Sequence, residues 1–469
     1  MRKLPVVVAV LAVLFVGLAS PAGALPPGAI DPGYGSGGVV DANLTTLIGA
    51  CQADPANPEC TYNREAPYAL LGRPDGSVVV LTVFPRNCCE SQIMAFRLTP
   101  DGRFDRSFGT NGITLIGPPR GLGTLVGEMA ADGAGRIIVK WTPQDVVGVP
   151  SSSVIYTRLL PNGRLDTTFG VRGNLPLHDG PFVVAPDGSI YAGTGSSVAN
   201  GFVRATIAKI APDGRIDPTY GIGGTGTLVT RALTPDVRQV SGAYALARQA
   251  DGAVVAVLDA NVFSGQRRLV IGRLLPSGWP DPTVGPGGVA VPARDPAAPG
   301  FVDLTVTELV ALPDGHLLAA GPGTYPDDDS RIIRIDPRGR PDLAFGTGGE
   351  ARIGISPPQG ADGFSWMDVD GAGRILVVDQ ANGGTSHGQV VEVGRFTADG
   401  HLDPSYGVGG LSPVPAAIAD APYTPIASTL AGDGRVVLGT SIDNPLRTCQ
   451  TSAGPIPCAD IVLIALRGG

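Results

Sequence analysis

One phrase recurs along the chain and limits the possible folds more than any other feature. Its full form is Leu-x-Pro-Asp-Gly-Arg-Leu-Asp-x-Thr-Phe-Gly-x-x-Gly, and its clearest copies begin at Leu98, Leu159, Ile210, Leu274, Ile335 and Phe396. The second Asp of the phrase recurs at Asp105, Asp166, Asp217, Asp281, Asp342 and Asp403, and Asp31 opens a seventh, partial copy. A unit of this length cannot bury its hydrophobic face alone, so neighbouring units must stack.

A second phrase, Asp-Gly followed by β-branched residues, lies between the copies of the first. It recurs at Asp75, Asp132, Asp187, Asp251, Asp314, Asp370 and Asp433. Asp-Gly between alternating hydrophobic runs is a hairpin signal, so each unit is predicted to be a four-stranded antiparallel sheet. In the second unit we expect strands at residues 113–116, 125–130, 136–141 and 153–160.

These units predict an all-β fold, a seven-bladed β-propeller of four-stranded antiparallel blades. The final strand, at residues 460–467, is followed by no copy of the phrase, whereas the partial copy at Asp31 has no strand before it. Each end of the chain therefore holds what the other lacks. We expect the ring to be closed by pairing of the N-terminal and C-terminal strands, which removes the free edge of the last blade.

The first residues have the pattern of a secretory signal peptide. Arg2 and Lys3 precede a short apolar run, and Ala22-Gly23-Ala24 has the small-x-small form of a cleavage site. We predict a cleaved signal peptide at residues 1–24 and a single propeller domain at residues 25–469, in a secreted or periplasmic protein. The apolar run is too short to span a membrane, so no membrane insertion is expected. The formal charge of −8 argues against nucleic acid as a partner.

The repeat phrase resembles that of the delta-60 repeat family of bacterial proteins, whose copies carry Asp-Gly-x-Leu-Asp-x-x-Phe-Gly-x-x-Gly. The resemblance covers the whole chain after the leader, although Val284 replaces the aromatic residue of one copy. It implies a repeat fold in exported or surface proteins. It implies no activity, and it transfers no catalytic or cofactor-binding residue to this chain.

The repeated residues are interpreted as structural. The Asp of each copy is expected to accept backbone N–H groups in an Asx turn, and the aromatic residue to wedge between adjacent blades. This motif comprises Asp31, Tyr34, Gly35, Asp105, Phe108, Gly109, Asp166, Phe169, Gly170, Asp217, Tyr220, Gly221, Asp281, Gly285, Asp342, Phe345, Gly346, Asp403, Tyr406 and Gly407. A basic residue also recurs, and we assign it to the outer strand as protection against edge pairing: Arg97, Arg158, Lys209, Arg273, Arg334, Arg395 and Arg467.

The six cysteines lie in the variable segments between strands. An even number of cysteines in an exported chain favours disulfides, and we pair Cys449 with Cys458. Cys51 and Cys60 are expected to bridge Cys88 and Cys89, in an order that the sequence does not give. Zinc binding is the alternative, but a spacing of eight residues within each pair is not a zinc spacing.

Few motifs indicate a cofactor or a metal. Asp327, Asp328 and Asp329 are weak calcium candidates in one loop. Gly33-x-Gly35-x-x-Gly38 matches a dinucleotide fingerprint, but it leads into a predicted strand instead of the helix that such a site needs. No cofactor and no catalytic residue are assigned.

The preferred functional hypothesis is an exported, monomeric, non-catalytic module for binding or scaffolding, whose variable loops contact a protein or carbohydrate partner. The alternative is a propeller enzyme, of the lyase, lactonase or glycosidase type, with a site at the axial channel mouth. Two or more convergent carboxylates or histidines at the axis, with perturbed pKa values, would favour the enzyme.

Overall fold

The structure is a computed structural model, and it describes most of the repeat region. The described residues are 25–42, 66–87, 90–117, 125–143, 153–199, 202–231, 237–262, 267–290, 292, 304, 306–322, 329–354, 362–382, 389–414, 427–451 and 454–469. Among them no helix is long and apolar enough to cross a membrane. The predicted signal peptide lies outside these residues.

Seven antiparallel sheets of four strands each make up the structure, which confirms the predicted fold class. The first three blades are β2 (Pro67–Gly72), β3 (Val78–Asn87), β4 (Glu90–Leu98) and β5 (Ile113–Ile116); β6 (Leu125–Ala131), β7 (Ile137–Thr142), β8 (Ser153–Leu159) and β9 (Asn174–His178); β10 (Phe182–Val184), β11 (Ile190–Ala199), β12 (Phe202–Ile210) and β13 (Thr225–Arg231).

The other four sheets follow the same order, with one exception at the end of the chain. They are β14 (Val237–Arg248), β15 (Val254–Val262), β16 (Arg267–Leu274) and β17 (Val289–Ala290); β18 (Glu308–Ala311), β19 (Leu317–Gly321), β20 (Ser330–Ile335) and β21 (Glu350–Ile353); β22 (Asp362–Val369), β23 (Ile375–Asn382), β24 (Gln389–Phe396) and β25 (Leu411–Pro413); β26 (Ala427–Leu430), β27 (Val436–Thr451), β28 (Gly454–Leu466) and β1 (Val39–Ala42).

The predicted strands exist, but their grouping into blades is shifted by one strand. Residues 113–116 were expected to open the second unit, whereas they form the fourth strand of blade 1 and pair with β4. The phrase that follows β4 explains this shift. It folds back toward β4, with Leu98 bridged to Phe104, so the strand after the phrase pairs with β4. Each phrase therefore links the third strand of a blade to its fourth strand.

Seven hydrophobic clusters hold the ring together, one at each junction between neighbouring blades. The cluster between blades 7 and 1 unites Tyr34 and Val40, near the N-terminus, with Val80 of blade 1 and Leu463 of blade 7. β1 pairs antiparallel with β28, so the first strand of the chain is the fourth strand of the last blade. This confirms the predicted closure.

The repeated Asp and the repeated cation form a connection between blades. In blade 1, Asp105 Oδ1 accepts hydrogen bonds from the backbone N–H and hydroxyl of Ser107 at 2.8 and 2.6 Å. Asp105 Oδ2 accepts one from Arg97 Nε at 2.7 Å, and the Arg97 guanidinium lies 5.5 Å from the Phe108 ring centroid. Arg97 Nη1 also donates to the carbonyl of Pro161 in blade 2. One arginine thus ties its own turn to the next blade.

Two expectations about the basic residues are wrong. They lie on the third strand of each blade, not on the outermost one, so they do not protect an edge; Arg158 and Arg395 are almost fully buried. Arg467 is not the seventh member, because Leu466 bridges Ile30 as Leu98 bridges Phe104, which makes Ala465 the counterpart of Arg97. Arg435 instead donates to Asp31 Oδ2 at 3.1 Å. Arg435 lies in the turn between the first and second strands of blade 7, which we call the inner turn of a blade.

Candidate axial binding site

The first strand of each blade is the innermost one, and in five blades it is irregular at the same height. The register is interrupted at Tyr68, at Gly127 and Glu128, at Tyr244 and at Ser365. In blade 5, Thr307 N–H donates to the Ala320 carbonyl although Ala320 already pairs with Glu308. Such β-bulges leave one residue unpaired and redirect its side chain. We call this level of the ring the axial bulge ring.

The bulges bring exposed tyrosine side chains to two of the inner strands. Tyr68 is 45% exposed and Tyr244 is 48% exposed. They lie in blades 1 and 4, which are three positions apart in a ring of seven and therefore nearly opposite. Each stands five residues before the residue that opens the inner turn, roughly 15 Å from that turn at the rise of a strand. Both tyrosines thus belong to the end of the axis nearer the variable loops.

Two acidic residues from opposite blades also lie at this level of the inner strands. Glu128 in blade 2 and Glu308 in blade 5 each stand four residues before the turn-opening residue. Blades 2 and 5 share no junction, yet the Glu128 charge raises the pKa of Glu308. This effect crosses the axis, although the two side chains lie at separate junctions: Glu308 pairs with Ala320, which packs toward blade 6, and Glu128 Oε1 lies 2.7 Å from Lys140 Nζ.

The carboxyl group of Glu308 has a strongly raised pKa. Burial, followed by the charges of Glu128 and Asp368, raises its pKa to about 7. Asp368, on the inner strand of blade 6, has a pKa raised by burial, although the backbone N–H of Val369 at 2.8 Å opposes that shift. Near pH 7 the Glu308 carboxyl group is therefore about half protonated, whereas a solvent-exposed Glu would be ionised.

A lysine enters the same region from blade 2. Lys140 Nζ lies 2.7 Å from Glu128 Oε1, 3.5 Å from Asp179 Oδ1 and 3.1 Å from the Gly180 carbonyl. It also lies 5.9 Å from the Phe182 ring centroid. Lys140 therefore compensates the charge of Glu128 on the side of the mouth formed by blades 2 and 3, while Glu308 and Asp368 belong to blades 5 and 6.

These residues were missed by the sequence analysis, although the repeat alignment contains a signal for them. At the position of Glu128 and Glu308, the other blades have Ala69, Pro181, Ala245, Trp366 and Ala427. At the position of Lys140, they have Leu81, Gly193, Val257, Ala320, Val378 and Gly439. Charged residues at positions that are apolar or small in every other unit mark the site. Motif searches overlook them because the residues are far apart in sequence.

Several predicted site residues cannot be judged from the structure. Cys51, Cys60, Cys88, Cys89, Asp327 and Asp328 lie outside the described residues. The backbone of Cys449 and Cys458 lies in the hairpin of β27 and β28, not in an irregular loop, and the register places Cys449 opposite Ile456. The pairing of Cys449 with Cys458 remains a prediction. Within the described ranges, no group of three or more His, Cys, Asp or Glu residues could hold a metal ion.

Comparison with known families gives one short match. Residues 185–220, in blade 3, match the family described as "Domain of unknown function (DUF5122) beta-propeller". The match agrees with the propeller architecture and gives neither an activity nor the delta-60 name. No curated protein matches the chain.

Similar solved structures have low sequence identity to the chain. The subtype N11 neuraminidase-like protein of a flat-faced bat isolate from Peru is 11% identical, with 73% of this chain and 86% of that chain covered and a TM-score of 0.37. Regucalcin, a calcium-binding protein from Agrobacterium tumefaciens, is 14% identical over 68% and 83% of the two chains, with a TM-score of 0.28. The α-L-arabinofuranosidase Arb93A from Fusarium graminearum is 11% identical over 71% and 91%, with a TM-score of 0.38.

Proposed function

We propose that this chain is an exported propeller that acts as a non-catalytic binding module and binds a small ligand at the axial bulge ring. One observation carries the proposal. Bulges at a common height redirect Tyr68, Glu128 and Tyr244 from inner strands, and β-bulges are frequent where a side chain must be aimed at a site. The variable loops at the same end of the axis would supply further contacts to a protein or carbohydrate partner.

The site fits binding because its scaffold is rigid and its polar groups differ in kind. Tyr68 and Tyr244 offer exposed aromatic surface, and Glu128 and Thr307 add a carboxylate and a hydroxyl at the same level of the inner strands, which apolar junctions hold in place. Sites for small ligands combine apolar or aromatic walls with a few placed polar groups.

Export, the disulfides and the repeat family belong to the same proposal. The leader at residues 1–24 would direct a monomeric protein to the periplasm or the medium, where Cys449 and Cys458, and Cys51 and Cys60 with Cys88 and Cys89, would form disulfides. The phrase around each motif Asp supports placing the chain among the delta-60 repeats.

The proposal is tested by thermal unfolding of the mature protein with a library of sugars, amines and organic acids. A ligand that binds the folded state raises the melting temperature. We expect at least one compound to stabilise the native protein, and this stabilisation to be lost in the double variant Tyr68→Ala/Tyr244→Ala. The matched control is Trp279→Ala, which removes a 53% exposed aromatic from a turn at the opposite end of the blade. If the control loses the stabilisation and the double variant retains it, the site is elsewhere.

A second candidate function is hydrolysis or elimination at the same axis, and the pKa of Glu308 is what favours it. A carboxyl group with a pKa of about 7 can act as a general acid or base near neutral pH. Chromogenic glycosides and lactones test this function. Turnover by the native protein that falls by about a hundredfold or more in Glu308→Gln would establish an enzyme; turnover that is equal in both proteins would be a contaminant.

A further inference from the structure

We propose that the outer turn of blade 2 is a docking surface for a short acidic segment of a partner protein, one that carries an aliphatic side chain next to its carboxylates. By the outer turn we mean the phrase between the third and fourth strands of a blade, which in blade 2 is residues 160–173. The proposal goes beyond the proposed function, because this turn lies at the opposite end of the blade from the variable loops and the axial bulge ring.

Four exposed side chains lie together on this turn. Leu165 is 42% exposed and Val171 is 75% exposed. Leu165 covers the last residues of the turn, since an added Cβ on Gly173 would lie 2.7 Å from Leu165 Cδ1. Arg164 precedes Leu165 and Arg172 follows Val171, and both arginines are exposed. The turn therefore presents two aliphatic side chains flanked by two guanidinium groups.

The positive charge of Arg164 is not neutralised within the described part of the chain. In blade 1 the arginine at the same position has an acidic partner, with Arg103 Nε 3.0 Å from Asp101 Oδ2. Blade 2 has Asn162 in place of that Asp. Asn162 Oδ1 still accepts the backbone N–H of Arg164 at 3.1 Å, so the turn is retained without its negative charge. Arg164 consequently makes no ion pair with any described residue.

Arg172 is a second departure of blade 2 from the repeat. Its φ is +51°, in the left-handed region. The other blades have Gly or Asn with positive φ at this position: Gly37, Asn111, Gly223, Gly287, Gly348 and Gly409. An arginine in this conformation is strained, and such strain is concentrated at functional sites. Its guanidinium also pairs with no described residue. Both departures thus add unpaired positive charge to one turn.

The charges of the turn and of the chain together favour an acidic peptide as the partner. The formal charge of the chain is −8, so an extended anionic surface such as a membrane would be repelled by most of the molecule. A short segment meets only the outer turn, and charges beyond about 10 Å are screened at moderate salt. Arginine binds carboxylates through paired hydrogen bonds. An acidic polysaccharide would satisfy the arginines and leave Val171 uncovered.

The outer turn of blade 3 extends the apolar part of the surface. Gly170 N–H donates to the Asp213 carbonyl at 2.9 Å, which holds the two turns in contact. Ile216 is 44% exposed and Ile222 is 74% exposed. The Asp213 carboxylate lies 3.8 Å from Arg215, so this turn adds no net charge. An extended segment that runs from blade 2 to blade 3 would place its acidic residues on the first turn and its aliphatic residues on the second.

The test begins with selection from a phage-displayed library of random peptides on the immobilised mature protein. Fluorescence anisotropy then measures the affinity of the selected peptide. We expect selected peptides to share Asp or Glu residues next to aliphatic residues, and their affinity to fall as salt is added. Arg172→Gly should weaken binding of the selected peptide about tenfold. Asn162→Asp should weaken it as well, because Arg164 would then have a carboxylate within its own turn.

Both substitutions introduce residues that other blades use at the same positions, so loss of binding should not come from unfolding. Arg172→Gly should raise the denaturant midpoint, because Gly adopts a left-handed φ without strain. Weaker binding with a higher midpoint distinguishes docking from a structural role. Ser277→Asp is the matched control, since it makes the same change of charge at the position of Asn162 in blade 4. It should leave the affinity unchanged.

Selected peptides without acidic residues, or equal affinity for the native protein and Arg172→Gly, would overturn the proposal. Cosedimentation with phosphatidylglycerol vesicles that Arg172→Gly abolishes, without peptide binding, would assign the surface to a membrane instead. Dimerisation in analytical ultracentrifugation that Arg172→Gly abolishes would assign it to a second copy of the chain. The axial site is tested separately, by thermal unfolding of Tyr68→Ala/Tyr244→Ala.

Discussion

At the scale of single residues, the repeat phrase encodes contacts between blades as well as turns. Arg395 shows this in its most buried form, because it pairs with Asp403 and also donates to the Ser405 hydroxyl and the Gly468 carbonyl. A buried ion pair is often no better than apolar packing, but removal of one partner leaves a buried charge uncompensated. Replacement of Arg395 should therefore lower the free energy of unfolding much more than replacement of an exposed arginine in one of the repeat turns.

Arg395→Met tests this point. We expect it to lower the free energy of unfolding by about 3 kcal/mol, since the Asp403 carboxylate would lose its partner. Arg340→Met is the control, because Arg340 is 59% exposed and its pairing with Asp336 should contribute less than about 1 kcal/mol. Chemical denaturation measures both values. Equal losses of unfolding free energy in the two variants would show that burial does not make the Arg395–Asp403 pair more important for stability.

Substitutions at two glycines of blade 3 measure the effect of backbone conformation separately from the effect of packing between blades. Gly214 has φ +84°, and an added Cβ would lie 2.4 Å from the Gly170 nitrogen of blade 2; Gly223 has φ +61° with open space around it. Gly223→Ala should cost about 1 kcal/mol, the penalty for a left-handed conformation alone. Gly214→Ala should cost more, since the Gly170 backbone would also have to move. The denaturant midpoints of the two variants measure this difference. Equal midpoints would contradict a role of Gly214 in packing between blades.

At the scale of elements, the sequence predicts strands better than blade membership. Asp-Gly turns and alternation locate the strands, because these signals are local. The phrase after β4 turns back through the bridge of Leu98 to Phe104, and β5 then pairs with β4. Spacing alone does not reveal whether β5 joins the blade before it or the blade after it. The axial bulge ring was missed because Tyr68, Glu128 and Tyr244 come to one level only after seven blades have been arranged around an axis.

The closing blade gives a prediction at this scale. In blade 7 the counterpart of Arg97 is Ala465, and Arg435 takes over the contact to Asp31. Arg435→Met should therefore increase hydrogen exchange mainly in β1, measured by mass spectrometry. Adding Ala465→Arg should restore part of the protection, because the other six blades accommodate a cation at that position. Unchanged exchange in β1 after Arg435→Met would contradict this assignment.

At the scale of the whole molecule, seven blades supply an axis at which residues from distant parts of the chain meet. The ring is closed by β1 pairing with β28, so blades 2 and 5 are held on opposite sides of that axis. The raised pKa of Glu308 makes the free energy of unfolding depend on pH, and the direction of that dependence follows from the shift. Because the folded-state pKa of Glu308 is raised, this group favours the folded state most at low pH, and that contribution is lost as the pH rises through about 7.

The central claim is that the charge of Glu128 acts on Glu308 across the axis, and the most direct test is the titration of the Glu308 carboxyl group by carbon-13 NMR. Spectra of the native protein and Glu308→Gln, both labelled at glutamate, identify its signal. We expect Glu308 to titrate near pH 7 in the native protein and at lower pH in Glu128→Gln, because the opposing charge is gone. A midpoint near 4.5, or one that Glu128→Gln leaves unchanged, would contradict an interaction between blades 2 and 5 across the axis.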